Sequence, residues 1–252
     1  SMGGAARKLG SKKKYEAQDL YYEAMETGDS ELVFKALEID PGNVDCLLQL
    51  LYMLDPSDGE ALEFSRHIVE TAEKRLGKKI FVECKGDFWL MLETRPYMRA
   101  RNDLAMRLAD ASRDEEAIVE YEGMLELCPG DNLGIRYVLL GLYFQEGRLE
   151  DSGRLLKEFE DERPYSAVMA WGYVLERYLA GELGEAKKAL KVARKTNGYA
   201  EVFLKGHRKL PKNMPGSYSP GSREEAQICA DCQLAAWNKN PLAQAWLAAQ
   251  AK

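Results

Sequence analysis

Three short segments of the chain superpose when shifted by about 35 residues, and that spacing constrains the fold more than any single residue. Ala117–x3–Tyr121–x2–Met124–Leu125, Ser152–x3–Leu156 and Ala186–x3–Leu190–x2–Ala193 align on their small residue, with steps of 35 and then 34. A period of that length is the mark of a stacked helix pair. One pair cannot bury its apolar face alone and needs a neighbour on each side. The spacing predicts an all-α chain of antiparallel helix pairs rather than a sheet-containing globule.

Steps of 34 and 35 belong to tetratricopeptide (TPR) arrays, right-handed α-α superhelices in which each unit presents its first helix along a groove. The expected first-helix pattern recurs in apolar form at three places. It runs Leu47–x2–Leu50–Leu51–x2–Leu54, then Ile135–x2–Val138–Leu139–x2–Leu142, then Trp171–x2–Val174–Leu175–x2–Tyr178. Second helices are expected around Val33, Ala36 and Leu37 ahead of Pro41, and over 60–76, 115–127, 150–159 and 184–195. The first helix is read as 15–26, stopped by Gly28, with Ser30 capping the next. Pro96 fits only the first turn of a helix, so Thr94 is expected to cap a helix that starts there. The stretch 207–222 carries Pro211, Pro215 and Pro220 and cannot be one helix. The segment 242–247 is expected to close the end of the core.

Composition narrows the classes. Hydrophobic residues make up 46% of 252, enough for one continuous repeat domain over 15–252. A formal net charge of −6 has the wrong sign for a general nucleic-acid binder. Five scattered cysteines, at 46, 84, 128, 229 and 232, suit a reducing, cytoplasmic compartment. No apolar run reaches a membrane span. Residues 1–14 read as a flexible basic tail behind a cloning remnant, with Arg7, Lys8 and Lys12 to Lys14 solvated.

The segment Leu92-Glu93-Thr94-Arg95-Pro96-Tyr97-Met98-Arg99-Ala100-Arg101 resembles a signature of bacterial TPR proteins. So do Asp131-Asn132-Leu133-Gly134-Ile135-Arg136-Tyr137 and the 197–204 stretch ahead of the Pro-rich segment. That group is distantly similar to the suppressor-of-tumorigenicity family. Gly198 departs from it, standing where a proline is expected after the asparagine. Over roughly 80–250 the resemblance implies a helical repeat fold and no established catalytic activity.

For a site, Arg95, Arg99, Asn102 and Met106 recur at i, i+4, i+7 and i+11 and share one helix face. Arg136 holds the register of Asn102 one unit on, and Tyr97 and Tyr137 lie close in sequence. These residues suggest a basic, aromatic-flanked groove that grips an acidic or extended segment of a partner protein through guanidinium forks. The competing reading has the same arginines pair with Glu93, Asp103 or the acidic second helices and hold the stack. A small-anion or nucleotide sensor built on Arg95, Arg99 and Arg136 is the alternative function. Cys229-Ala230-Asp231-Cys232 lacks further ligands for zinc and reads as buried thiols on an amphipathic helix. His67 and His207 are the only histidines, and neither sits in a triad-like pattern. No cofactor, metal or catalytic residue is expected, and the oligomeric state is left open.

Overall fold

The computed structural model describes residues 2–250, with side chains over 12–250. Ser1 and the side chains of the expected basic tail up to Ser11 lie outside it. The described chain is all-α and TPR-like, and no strand occurs among the described residues. Its helices are α1 (Met2–Thr27), α2 (Glu31–Ile39), α3 (Val44–Leu54), α4 (Asp58–Glu83), α5 (Arg95–Asp110), α6 (Asp114–Leu127) and α7 (Ile135–Gln145). They continue as α8 (Leu149–Glu158), α9 (Ala167–Leu179), α10 (Leu183–Asn197), α11 (Glu201–Leu204), α12 (Arg223–Lys239) and α13 (Pro241–Ala249). The chain packs as two compact units, Ser1–Asn132 and Leu133–Lys252.

In the first unit α1 pairs with α2, α3 with α4 and α5 with α6, while the first helices α1, α3 and α5 touch in sequence order. The second unit pairs α7 with α8 and α9 with α10.

The 35-residue period has a backbone cause. Ser112, Gly147 and Gly181 stand at φ 57°, 68° and 79°, at steps of 35 and 34. The amide after each donates five residues back: Arg113 to Leu108 O, Arg148 to Tyr143 O and Glu182 to Arg177 O, at 2.8, 2.8 and 2.9 Å. This closure satisfies carbonyls stranded at the end of a first helix and reverses the chain into the second. The small residues that follow, Ala117, Ser152 and Ala186, are fully buried. A larger side chain there would push the two helices of the pair apart.

Several local expectations need correction. Ser30 makes no cap hydrogen bond; the Asp29 carboxylate accepts from Glu31 N at 3.0 Å instead. The second helix of the α3 pair does not stop at residue 76. It breaks at Gly77 (φ 72°, ψ 155°) and resumes to Glu83. Thr94 caps nothing with its side chain, because its hydroxyl donates to Phe88 O and Met91 O and folds the 88–94 approach onto itself. Val138 is exposed despite its place in the apolar pattern. In α13, Ala243 and Leu247 close the core while Leu242 points to solvent.

Candidate functional site

On α5 the expected stripe forms, but one of its two charges, that of Arg99, is already held in an internal ion pair. Arg99 donates from Nε and Nη2 to the two oxygens of Asp45 on α3, at 2.8 and 2.7 Å. Asp45 is only 1% exposed, and Gln18 of α1 donates to it as well, at 3.0 Å. The pair therefore ties all three first helices together. Burial alone would lower the Arg99 pKa, but the hydrogen bond and charge of Asp45 outweigh it and the net shift is upward. Arg95 donates Nε to Trp89 O at 2.9 Å and lies over the Trp89 ring at 5.5 Å. Asn102 Nδ2 meets the Met106 sulfur at 3.5 Å, and Met106 is exposed.

Tyr97 is buried in the core, and it also lines the first-unit cavity described below. It stacks edge-on against Phe81 and Phe88, with centroids at 5.1 and 5.9 Å, and its hydroxyl donates to Glu73 at 3.3 Å. Burial pushes its pKa up to about 12, against the pull of Arg101.

In the second unit Arg136 and Tyr137 meet each other. The Arg136 guanidinium contacts Glu162 at 3.1 Å and Tyr137 Oη at 3.0 Å. It lies over the Tyr137 and Phe159 rings at 4.4 and 5.1 Å. Tyr137 in turn donates to Glu162 at 3.0 Å. Each of these two forks already holds an internal carboxylate through Nε and Nη2, so an outside carboxylate or phosphate would compete with that pair or use the remaining N–H groups.

The pattern is general. Arg75 is held by Asp40 at 2.9 and 2.6 Å, Arg107 by Asp103 at 2.8 Å, and Arg194 by Glu201 at 2.9 and 2.8 Å. Asp103 also accepts from Tyr52 and Ser65, both at 2.6 Å. Arginine thus supplies latches between elements at Arg75, Arg99 and Arg194 and within α5 at Arg107, in keeping with the second of the two readings the sequence allows. Its partners, however, are Asp45 and Glu162, which lie 54 and 26 residues away.

The second unit covers its own first helices. α12 lies against both α7 and α9. Gly141 lets the Cys232 carbonyl come against the α7 backbone, and Gly172 leaves room for Leu140 and Gln233. Gln233 donates to Val168 O at 2.6 Å. The buried Glu225 carboxylate accepts from Ala167 N, Asn197 Nδ2 and Gly221 N at 3.0, 2.9 and 2.7 Å. That carboxylate fixes the start of α9, the end of α10 and the end of the Pro-rich segment at one point. Cys229 is fully buried on α12, and burial pushes the neighbouring Cys232 thiol up to about 12. Such thiols are poor nucleophiles at neutral pH. No group of three metal-binding side chains exists among the described residues.

What the sequence reading missed lies in the first unit. A cavity of about 620 Å³ opens between α1, α3, α4 and the approach to α5. Leu76 and Ile80, on either side of the Gly77 break, form part of its wall with Ala72 and Val44. α1 contributes Tyr15, Gln18, Asp19 and Tyr22; the far rim is Leu92, Glu93 and Pro96. Tyr15, Tyr22 and Leu92 are 67%, 54% and 68% exposed, unusual for large apolar groups beside a hollow. The sequence held a usable signal, since Tyr15, Asp19 and Tyr22 recur at i, i+4 and i+7.

No helix among the described residues is long and apolar enough to cross a membrane. No family model matches the chain, the resemblance to bacterial TPR proteins and the suppressor-of-tumorigenicity family included. No curated protein matches either. A solved structure described as "Crystal structure of MamA protein" is similar over 81% of this chain and 99% of its own, with a TM-score of 0.49 and 17% identity. Likeness at that level carries no functional argument.

Proposed function

We propose that the chain is a non-enzymatic interaction scaffold that holds an extended segment of another protein against its first unit. The observation that supports this most is the cavity of about 620 Å³, rimmed by exposed Tyr15, Tyr22 and Leu92. Exposed aromatic and aliphatic groups around a preformed hollow are the usual anchor sites of protein recognition. The two histidines stand exposed and have no nucleophile hydrogen-bonded to them among the described residues, so catalysis gains no support. On this reading the α5 face of Arg95, Asn102 and exposed Met106 adds contact surface for the partner. Arg99 contributes by fixing the helices rather than by touching the partner.

Affinity capture from native cells with the full chain tests the reading, run beside two exposed-site variants. Leu92→Glu places a charge on the cavity rim, and Tyr165→Glu alters an exposed tyrosine of the second unit. The parent and Tyr165→Glu are expected to recover the same protein and Leu92→Glu to lose it. Undiminished recovery by Leu92→Glu would remove the first-unit cavity from consideration. Replacing Arg99 is a poor probe, because it strands Asp45 and perturbs the stack itself.

A further inference from the structure

The arginines grouped around the start of α5 suggest an acidic partner, but the unpaired charges that border the cavity lean the other way. Arg75 lines the cavity and is neutralised by Asp40, as Arg99 is by Asp45. The lining groups without an ion pair among the described residues are Asp19, Glu93 and Lys14. Two carboxylates therefore stand against one ammonium. The carboxylates come from opposite sides: Asp19 from α1, between Tyr15 and Tyr22, and Glu93 from the approach to α5, beside Leu92. An aromatic–acidic–aromatic stripe is suited to a cation, because ring faces and a carboxylate attract the same positive group. Behind the stripe, Leu76 and Ile80 offer apolar surface that the methylene stem of an arginine or a neighbouring leucine would cover.

Resting on the scaffold reading above, we infer that the first-unit cavity selects a basic–apolar segment. In this arrangement a partner arginine lies between Tyr15, Tyr22, Asp19 and Glu93 while an adjacent large apolar side chain fills the space against Leu76 and Ile80. Arginine suits the site better than lysine, since its planar guanidinium stacks on rings and meets a carboxylate with two parallel donors.

The test uses the purified full chain and fluorescein-labelled nonapeptides of one sequence, with Leu-Arg, Leu-Gln or Leu-Glu at the centre, read by fluorescence polarisation. The Leu-Arg peptide is expected to bind about tenfold more tightly than Leu-Gln, equivalent to about 1.4 kcal/mol, with Leu-Glu weaker still. Asp19→Asn combined with Glu93→Gln should bring Leu-Arg down to the Leu-Gln level and leave Leu-Gln unchanged. Tyr22→Ala should weaken both. Equal binding of Leu-Arg and Leu-Gln, both lost in Tyr22→Ala, would overturn the cation preference and leave the scaffold reading standing. Preference for Leu-Glu would overturn it too. If no peptide binds, and a photo-reactive residue at Tyr22 yields no protein adduct in cells, the inference and the scaffold reading fall together.

Discussion

Gly141 of α7 and Cys232 of α12 touch backbone to backbone: a Cβ on the glycine would run into the cysteine's carbonyl oxygen. Helix axes come this close only where one partner lacks a side chain. Gly172 of α9 differs, since a Cβ there would meet side-chain atoms, Leu140 Cδ2 at 2.6 Å and Gln233 Nε2 at 2.9 Å. Gly141→Ala is therefore expected to destabilise the chain by about 3 kcal/mol, as an overpacked core does, and Gly172→Ala by about 1 kcal/mol after the side chains shift. Urea unfolding of the two variants checks the order, and equal losses would contradict the contact.

The Arg99–Asp45 pair gives an asymmetric prediction. Arg99→Ala leaves a carboxylate that is almost fully buried with Gln18 as its one remaining side-chain donor among the described residues, at a cost of about 3 kcal/mol. Asp45→Asn keeps the hydrogen-bonding shape and leaves a cation that is 36% exposed and hydrated, so about 1 kcal/mol is expected. A double-mutant cycle on midpoint shifts would detect the coupling, and additive effects would mean the latch is energetically idle.

Gly77 breaks α4 at a backbone conformation open almost only to glycine. Nothing lies within 4 Å of a Cβ there, so Gly77→Ala meets no clash and reports backbone strain alone. A loss of about 2 kcal/mol is expected, together with weaker peptide binding, because Leu76 and Ile80 flank the break. An unchanged midpoint would show that the break is not enforced.

Ser112 is the one non-glycine among the three periodic turn positions, at φ 57°. Ser112→Gly is expected to stabilise the chain by about 0.5 kcal/mol, the relief of left-handed strain exceeding the added freedom of the unfolded chain. Thermal unfolding should show a small rise in the midpoint, and a fall would refute the strain.

Burial raises the Tyr97 pKa from 10.0 to about 12 in the folded chain. The folded state then binds more protons than the unfolded one between those values. The corresponding stability is complete below pH 10 and is lost as pH rises toward about 12. Unfolding free energy should fall more steeply across that window in the parent than in Tyr97→Phe. Parallel profiles would place Tyr97 in water.

Much of the fold was legible because a helix pair writes its period into sequence. Ala117, Ser152 and Ala186 mark the tight crossing inside each pair, and Gly147 and Gly181 mark its turn. The site was less legible for a physical reason. A guanidinium looks available in sequence until the fold brings a carboxylate to it, and Asp45 reaches Arg99 from 54 residues away. Thr94 shows the same limit on a smaller scale, since its cap-like position says nothing about which way the hydroxyl turns. The tyrosine–aspartate stripe of α1 could have been read, but its significance depends on the hollow that α4 opens at Gly77.

The placement of α12 has a practical side. Its buried face, with Ala226, Cys229, Ala230 and Trp237, is what keeps α7 and α9 dry. A chain shortened to end in the Pro-rich segment would expose an oily trough where the native molecule has none. Such a fragment would collect proteins indiscriminately, so mapping a partner by trimming from the carboxyl end would report adhesion rather than recognition.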